Sequence, residues 1–407
     1  MLGMEHTLHM ALILAAVVLS LAYVNHGANW GGRWMPYLMV ALATLVRFET
    51  LFVVAGLAIG LLATRRSTLT RHPSSPIDRR AWRCTIGLLA ASVTAAVGFS
   101  IFNLAMGQGV LPNSVLAKAQ TTSGAGSFGP VQILNRFTSD PVLSALWAIL
   151  AVSTVLAWRR IRDLRALAVT ALVAVGLHVT FAQVGFFERY EAYLIGLLCL
   201  ALLAVGTLLL SESDRVPTAR AVIPCVIAVM MLFTATKSDL TLKVPVAVDD
   251  TYQQRYQAGR FLARYYEGQP VATGELGYIS LLHKGPITDL YGLGDYEVLQ
   301  ERRRTAGNPP SAYWDALARS RGFKVVVVYP RTLFFSTPSD WILVGRWHLN
   351  RPAVTAFEPT IQFWATTPSE VRPLEAHLRA FAHSLPGSVA LDINPLAQFR
   401  ASRALSK

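Results

Sequence analysis

Two short runs set oppositely charged side chains beside long apolar segments. Arg47-Phe48-Glu49-Thr50 interrupts the apolar stretch 35–63, and Glu188-Arg189-Tyr190-Glu191 follows another. Ionisable residues at membrane depth are expensive to bury, so each is a functional candidate. A third run, from Gly109 to Lys118, carries Asn113 and Lys118. Cations converging at a membrane surface suit the phosphate or pyrophosphate of a lipid head group. Arg47, Lys118 and Arg189 are therefore the candidate head-group ligands, with Asn113, Glu188 and Glu191 completing the binding set. A carboxylate beside them, Glu49 above all, suits a general base acting on an acceptor hydroxyl. Each run also has a structural reading: an ion pair capping two short helices for Arg47 and Glu49, an interfacial anchor for Glu188–Glu191, and a solvated loop lysine for Lys118.

Other chemistries find less support. The cysteines Cys84, Cys199 and Cys225 lie in or beside apolar runs, with neither CxxC spacing nor a disulfide framework. His6 and His178 have no partner at metal-ligand spacing and read as interfacial or packed residues. Gly292-Leu293-Gly294-Asp295 is half of a dinucleotide fingerprint without its third glycine and reads as a turn. No cofactor motif is present, and the need for a divalent metal is left open. The net charge of +13 comes largely from arginines in short loops: Arg65, Arg66, Arg71, Arg79, Arg80 and Arg83 in one, and Arg159, Arg160, Arg162 and Arg165 in another. That distribution follows the positive-inside rule for cytoplasmic loops and argues against nucleic acid as a partner.

The elements that would hold these residues follow from hydropathy. Hydrophobic residues make up 53% of the 407, and charged ones only 15%, below the share of about 25% in soluble domains. A polytopic α-helical membrane domain is expected over 1–236 and a small extracytoplasmic α/β domain over 237–407. About six spans are expected, at Leu8–Val24, Thr85–Met106, Pro141–Ala157, Ala166–Gly185, Tyr193–Leu210 and Ala221–Thr236. Met35–Val46 and Leu51–Ala63 are each too short to cross and make a helical hairpin with Arg47–Thr50 at its tip. Placing the arginine-rich loops inside puts the N-terminus, the hairpin tip, the polar loop 107–140 and the tail outside a cytoplasmic membrane. In the tail, Asp250 and Gln253 make a capping-box pattern ahead of a helix through Tyr265 that Gly268 stops. Strands are expected at Val271–Thr273, Ile287–Leu290, Lys324–Tyr329, Trp341–Val344 and Gln362–Thr366, and a closing helix at Glu370–Leu385.

The strings GMEHTL (Gly3–Leu8), LATLVRFETLFV (Leu42–Val53), LPNSVLAKA (Leu111–Ala119) and ERYEAYL (Glu188–Leu194) resemble bacterial membrane glycosyltransferases of the GT-C class, arabinofuranosyl- and mannosyltransferase-like members in particular. YQQRYQAGRFLARYY (Tyr252–Tyr266) and GELGYISLLHKGPITDLYGLGDYEV (Gly274–Val298) resemble their soluble domain. The resemblance implies transfer of a sugar from a polyprenyl-phosphate donor to an extracytoplasmic glycan or lipid acceptor. It also implies an acidic catalytic residue in the first external loop, after the first spanning helix. No Asp precedes Leu8 and Glu5 is the only acid there, so that helix and loop are expected to be missing and this chain to be inactive or strongly impaired in sugar transfer. Glu49 and Glu5 are the carboxylates left for the catalytic role. The alternative is a non-enzymatic membrane protein, a transporter or an envelope assembly factor. A transporter is expected to repeat the broken helix in its second half, and no matching break shows in the later apolar runs of the sequence.

Overall fold

The computed structural model describes residues 4–27, 32–66, 76–113, 115–117, 130–182, 184, 190–211, 242–330, 338, 340–354 and 358–405. The chain forms two compact units, one of residues 1–110 and 121–238, the other of 111–120 and 239–407.

The first unit is a bundle of α1 (Met4–His26), α2 (Met35–Val46), α3 (Thr50–Arg66), α4 (Pro76–Ala105), α5 (Pro130–Ser139), α6 (Pro141–Leu156), α7 (Arg165–Phe181) and α8 (Ala192–Ser211). Glu5–His26, Pro76–Ala105, Arg162–Phe181 and Ala192–Leu209 are long and apolar enough to cross a membrane. The sequence reading therefore needs two corrections: part of the expected polar loop 107–140 is helix, and the later apolar runs do contain a second break, at Asp140. Pro141–Leu156 reaches span length only with Ile133–Ser139, across a bend of 103°. Asp140 explains the bend: its Oδ1 accepts from the N–H groups of Val142 and Leu143 at 3.0 and 3.1 Å, with Pro141 next, so α6 starts afresh there. The expected span Ala221–Thr236 lies outside the described residues. α2, with 12 residues, is only about 18 Å long.

Small residues let the helices approach closely. Gly56 and Gly60 face α7 across a backbone contact. A Cβ on Gly56 would stand 2.6 Å from the Thr170 carbonyl oxygen, and one on Gly60 2.5 Å from that of Ala166. This is the small-residue spacing by which apolar helices associate through backbone proximity. Gly87 makes similar room for the Tyr37 ring and Gly196 for Met10. The bundle has one strongly cationic end. α7 begins at Arg165, whose Nε donates to the Trp158 carbonyl at 2.8 Å. Arg80 of the first turns of α4 reaches Gly27 after α1.

The second unit is built on a six-stranded mixed sheet of order β2-β1-β3-β5-β4-β6. Its strands are β1 (Val271–Thr273), β2 (Ile287–Asp289), β3 (Val325–Val328), β4 (Ile342–Leu349), β5 (Thr360–Ala365) and β6 (Val389–Ile393). β2, β1 and β3 run parallel, Val271 facing both Ile287 and Val325; β5, β4 and β6 continue antiparallel. Helices α9 (Gln257–Tyr265), α10 (Gly277–Leu282), α11 (Tyr296–Arg304), α12 (Ser311–Arg321), α13 (Val371–Ala382) and α14 (Ala397–Leu405) complete the unit. Phe261 anchors α9, its ring centroid 5.3 Å from Phe363, 5.6 Å from Phe381 and 5.7 Å from Trp347. The expected capping box is overturned. Asp250 lies inside a helix that is already formed at 242, with α-helical dihedrals. Its carboxylate instead binds Arg351 at 2.6 Å and the Val354 N–H at 2.5 Å, a long-range demand that local spacing does not reveal.

Gly60→Val should lower the thermal stability of the detergent-solubilised chain by about 1–3 kcal/mol, since backbone cannot yield to the added carbons. Gly206→Ala, where a Cβ meets nothing within 4 Å, should leave the midpoint unchanged. In the second unit, Phe261→Ala should cost about 3–5 kcal/mol, read from the near-ultraviolet dichroism of its aromatic core.

Candidate functional site

α1 and α3 run from the same end of the bundle, where α2 and α7 finish. At that end, residues far apart in sequence form one polar cluster. Arg47, 8% exposed, is held in a bidentate pair with Glu49: Nη2 donates to Oε1 at 2.6 Å and Nε to Oε2 at 3.3 Å. Arg47 Nη1 also meets His6 Nδ1, which makes that nitrogen the acceptor. The ring proton then lies on Nε2, 3.0 Å from Glu5 Oε1. Glu5, His6, Arg47 and Glu49 thus form a continuous chain of alternating acceptors and donors. The Arg47 guanidinium also lies 5.4 Å from the centre of the Tyr190 ring, a cation–π distance.

A second layer lies deeper. His9 is 2.9 Å from the Thr50 hydroxyl, which donates to the Arg47 carbonyl at 2.9 Å and so closes the turn between α2 and α3. The His9 and Tyr193 rings meet edge-on at 4.9 Å, and the Tyr193 hydroxyl lies 3.0 Å from His178 Nδ1. His9, Thr50, His178, Glu191 and Tyr193 are all buried. Phe48 and Phe99 cover the α4 side at 5.7 Å.

The structure therefore brings together Glu5, Arg47, Glu49 and Glu191 of the sequence-derived candidates. Lys118, Glu188 and Arg189 lie outside the described residues. Asn113 is buried in the second unit. Sequence reasoning set His6 and His178 aside and passed over His9 and Tyr193. Their signal was the spacing of His6, His9 and Met10 along one face of α1, which needs the facing helices to acquire meaning. Among the described residues no group of three or more His, Cys, Asp or Glu side chains is placed to hold a metal ion.

The second unit carries its own polar concentration at the carboxyl ends of the parallel strands. Arg255 pairs with Glu275 at 3.3 Å and lies close to the Tyr329 hydroxyl, which donates to Gln254 Oε1 at 3.1 Å. Burial pushes the Glu275 carboxyl above its ordinary range; Arg255 opposes the shift and Asp289 adds to it. Asp289, at the end of β2, turns the chain through its carboxylate, which accepts from the N–H groups of Tyr291 and Gly294 at 2.8 Å each. Gly292 in that loop has φ +86°, a conformation that favours glycine, so Gly292–Asp295 is the expected turn.

Residues 246–366 match the model of a family described as a domain of unknown function (DUF8728). No curated protein and no solved structure matches the chain.

Arg47→Met alone should destabilise the bundle by about 3–5 kcal/mol, because Glu49 is left with an uncompensated charge, whereas Arg47→Met with Glu49→Leu should recover much of the loss. Thermal unfolding of the three proteins in detergent checks the order.

Proposed function

We propose that the chain is a membrane glycosyltransferase of the GT-C type, acting on a polyprenyl-phosphate sugar and an extracytoplasmic glycan or lipid acceptor. One observation carries the reading. Three of the strings that resemble that class, 3–8, 42–53 and 188–194, converge at one end of the bundle through the His6–Arg47, Arg47–Tyr190 and His9–Tyr193 contacts. The apolar helices supply a bilayer-embedded scaffold. The arginines of the α6–α7 turn and of the start of α4 lie at the other end, which under the positive-inside rule turns the cluster outward. The second unit, outside the membrane, receives the acceptor.

In this reading Arg47 and the edge of Tyr190 address the donor's phosphate. Glu49 serves as the general base toward the acceptor hydroxyl. Glu5 orients His6. The pairing of Arg47 with Glu49 and His6, which takes up three of its five N–H donors, favours the other reading, a structural cluster in a non-enzymatic membrane protein, and the test separates the two.

Membranes carrying the chain are exposed to a photoreactive polyprenyl-phosphate sugar and, separately, to a radiolabelled donor with a soluble saccharide acceptor. The chain should be labelled, with free polyprenyl phosphate competing. Arg47→Ala should abolish labelling. Glu49→Gln should retain labelling and reduce transfer by about 10²–10⁴-fold. Labelling that ignores the competitor and the Arg47 substitution would refute the proposal.

A further inference from the structure

We infer that the residues gathered at the carboxyl ends of β1, β2 and β3 form a binding site for a neutral saccharide, its polar floor made by Gln254, Arg255, Glu275 and Tyr329 and its rim by Tyr252, Tyr256 and Tyr278. This deepens the proposed function, on which it rests for the ligand's role as acceptor. Three features of the second unit converge on it.

The first is topological. Parallel strands aim their carboxyl ends at one edge of the sheet, where open α/β sheets receive ligands between the loops. Gly274–Glu275 leaves β1 there, Asp289 ends β2, and Tyr329 follows β3. The second is helical irregularity. Thr251–Tyr256 is a π-helical stretch, a costly distortion that is found disproportionately at functional sites. It supplies both Gln254 and Arg255 to the strand ends, and Gly259 lets the helix that follows sit against the Tyr278 backbone, where a Cβ would stand 2.8 Å from the carbonyl oxygen. The third is aromatic. Tyr256 meets Tyr278 edge-on at 5.5 Å and stacks on Tyr252 at 5.4 Å, and Tyr252 is 49% exposed.

Charge selects the ligand class. Glu275 neutralises Arg255, and backbone N–H groups occupy the Asp289 carboxylate. The site offers no net positive charge to a phosphate or carboxylate. It offers fixed donors and acceptors beside tyrosine faces, the combination that suits ring hydroxyls and the C–H face of a sugar.

The full chain, in nanodiscs free of sugar detergents, is titrated with a mannotriose and with an arabinofuranose trisaccharide by saturation-transfer NMR. At least one should bind. Tyr252→Ala and Tyr256→Ala should each weaken binding by about tenfold, the loss of one stacking or hydrogen-bonding contact, and Glu275→Gln likewise. Glu297→Gln, on α11, should not. Melting curves identify any variant that has lost its fold, and the exposed Tyr252 keeps the test open if the buried positions do not tolerate change. Failure of both saccharides to bind, or undiminished binding by folded Tyr252 and Tyr256 variants, overturns the inference. Binding without any sugar transfer leaves the site in place and removes the glycosyltransferase reading. Transfer that is indifferent to the tyrosines does the reverse.

Discussion

The close backbone approach of α3 to α7 sets the geometry of the helical bundle. Two glycines one turn apart remove the side-chain layer that would hold the helices off, and carbonyl oxygens of Ala166 and Thr170 occupy the space. Because the contact is fixed near the middle and far end of α3, the first turn of α3 has one position available beside the last turn of α7. Thr50 then meets His9, Phe52 meets His178, and the Arg47 turn closes over the start of α1. Apolar helices have little hydrophobic reason to prefer one neighbour over another in lipid. Shape and a few polar contacts decide the arrangement.

The cluster at the bundle end is chemically unusual for its burial. A guanidinium, the Glu49 and Glu191 carboxylates and three imidazoles share a region where each unpaired polar group would cost several kcal/mol, with Glu5 at its exposed rim. The arrangement limits that cost by alternation, since each donor faces an acceptor, from Glu5 through His6 and Arg47 to Glu49. In the second unit the same logic takes another form. Asp289 spends its carboxylate on backbone N–H groups, while Arg255 and Glu275 neutralise one another.

Much of the helical architecture was legible because hydropathy reports it directly. The break at Arg47–Thr50 and the apolar helices on both sides needed only side-chain types. Five strands were visible as β-branched or aromatic runs, Val325–Val328 most clearly. β6, the short helices α10 to α12 and the final helix were missed, since their residues have no strong period until tertiary contacts choose a face. The site was half visible. Charged residues beside apolar runs stand out in a sequence, whereas His9, Tyr193 and Tyr329 look like ordinary packing residues until their partners are known. Asp250 shows the opposite error, a locally plausible cap that a distant arginine claims.

α4 has a further consequence. Its first two turns carry Asp78, Arg79, Arg80 and Arg83, and the uncharged stretch Cys84–Ala105 that follows extends about 33 Å, close to the roughly 30 Å hydrocarbon layer of a bilayer. Only 17% of its apolar window is buried within the protein, so most of this apolar surface faces away from the bundle. Ile101, Phe102 and Leu104, near its end, are exposed on the same side of the bundle as the Arg47 turn. Whatever apolar surface covers this face of α4 therefore also touches the Phe99–Phe48 pair that screens the polar cluster.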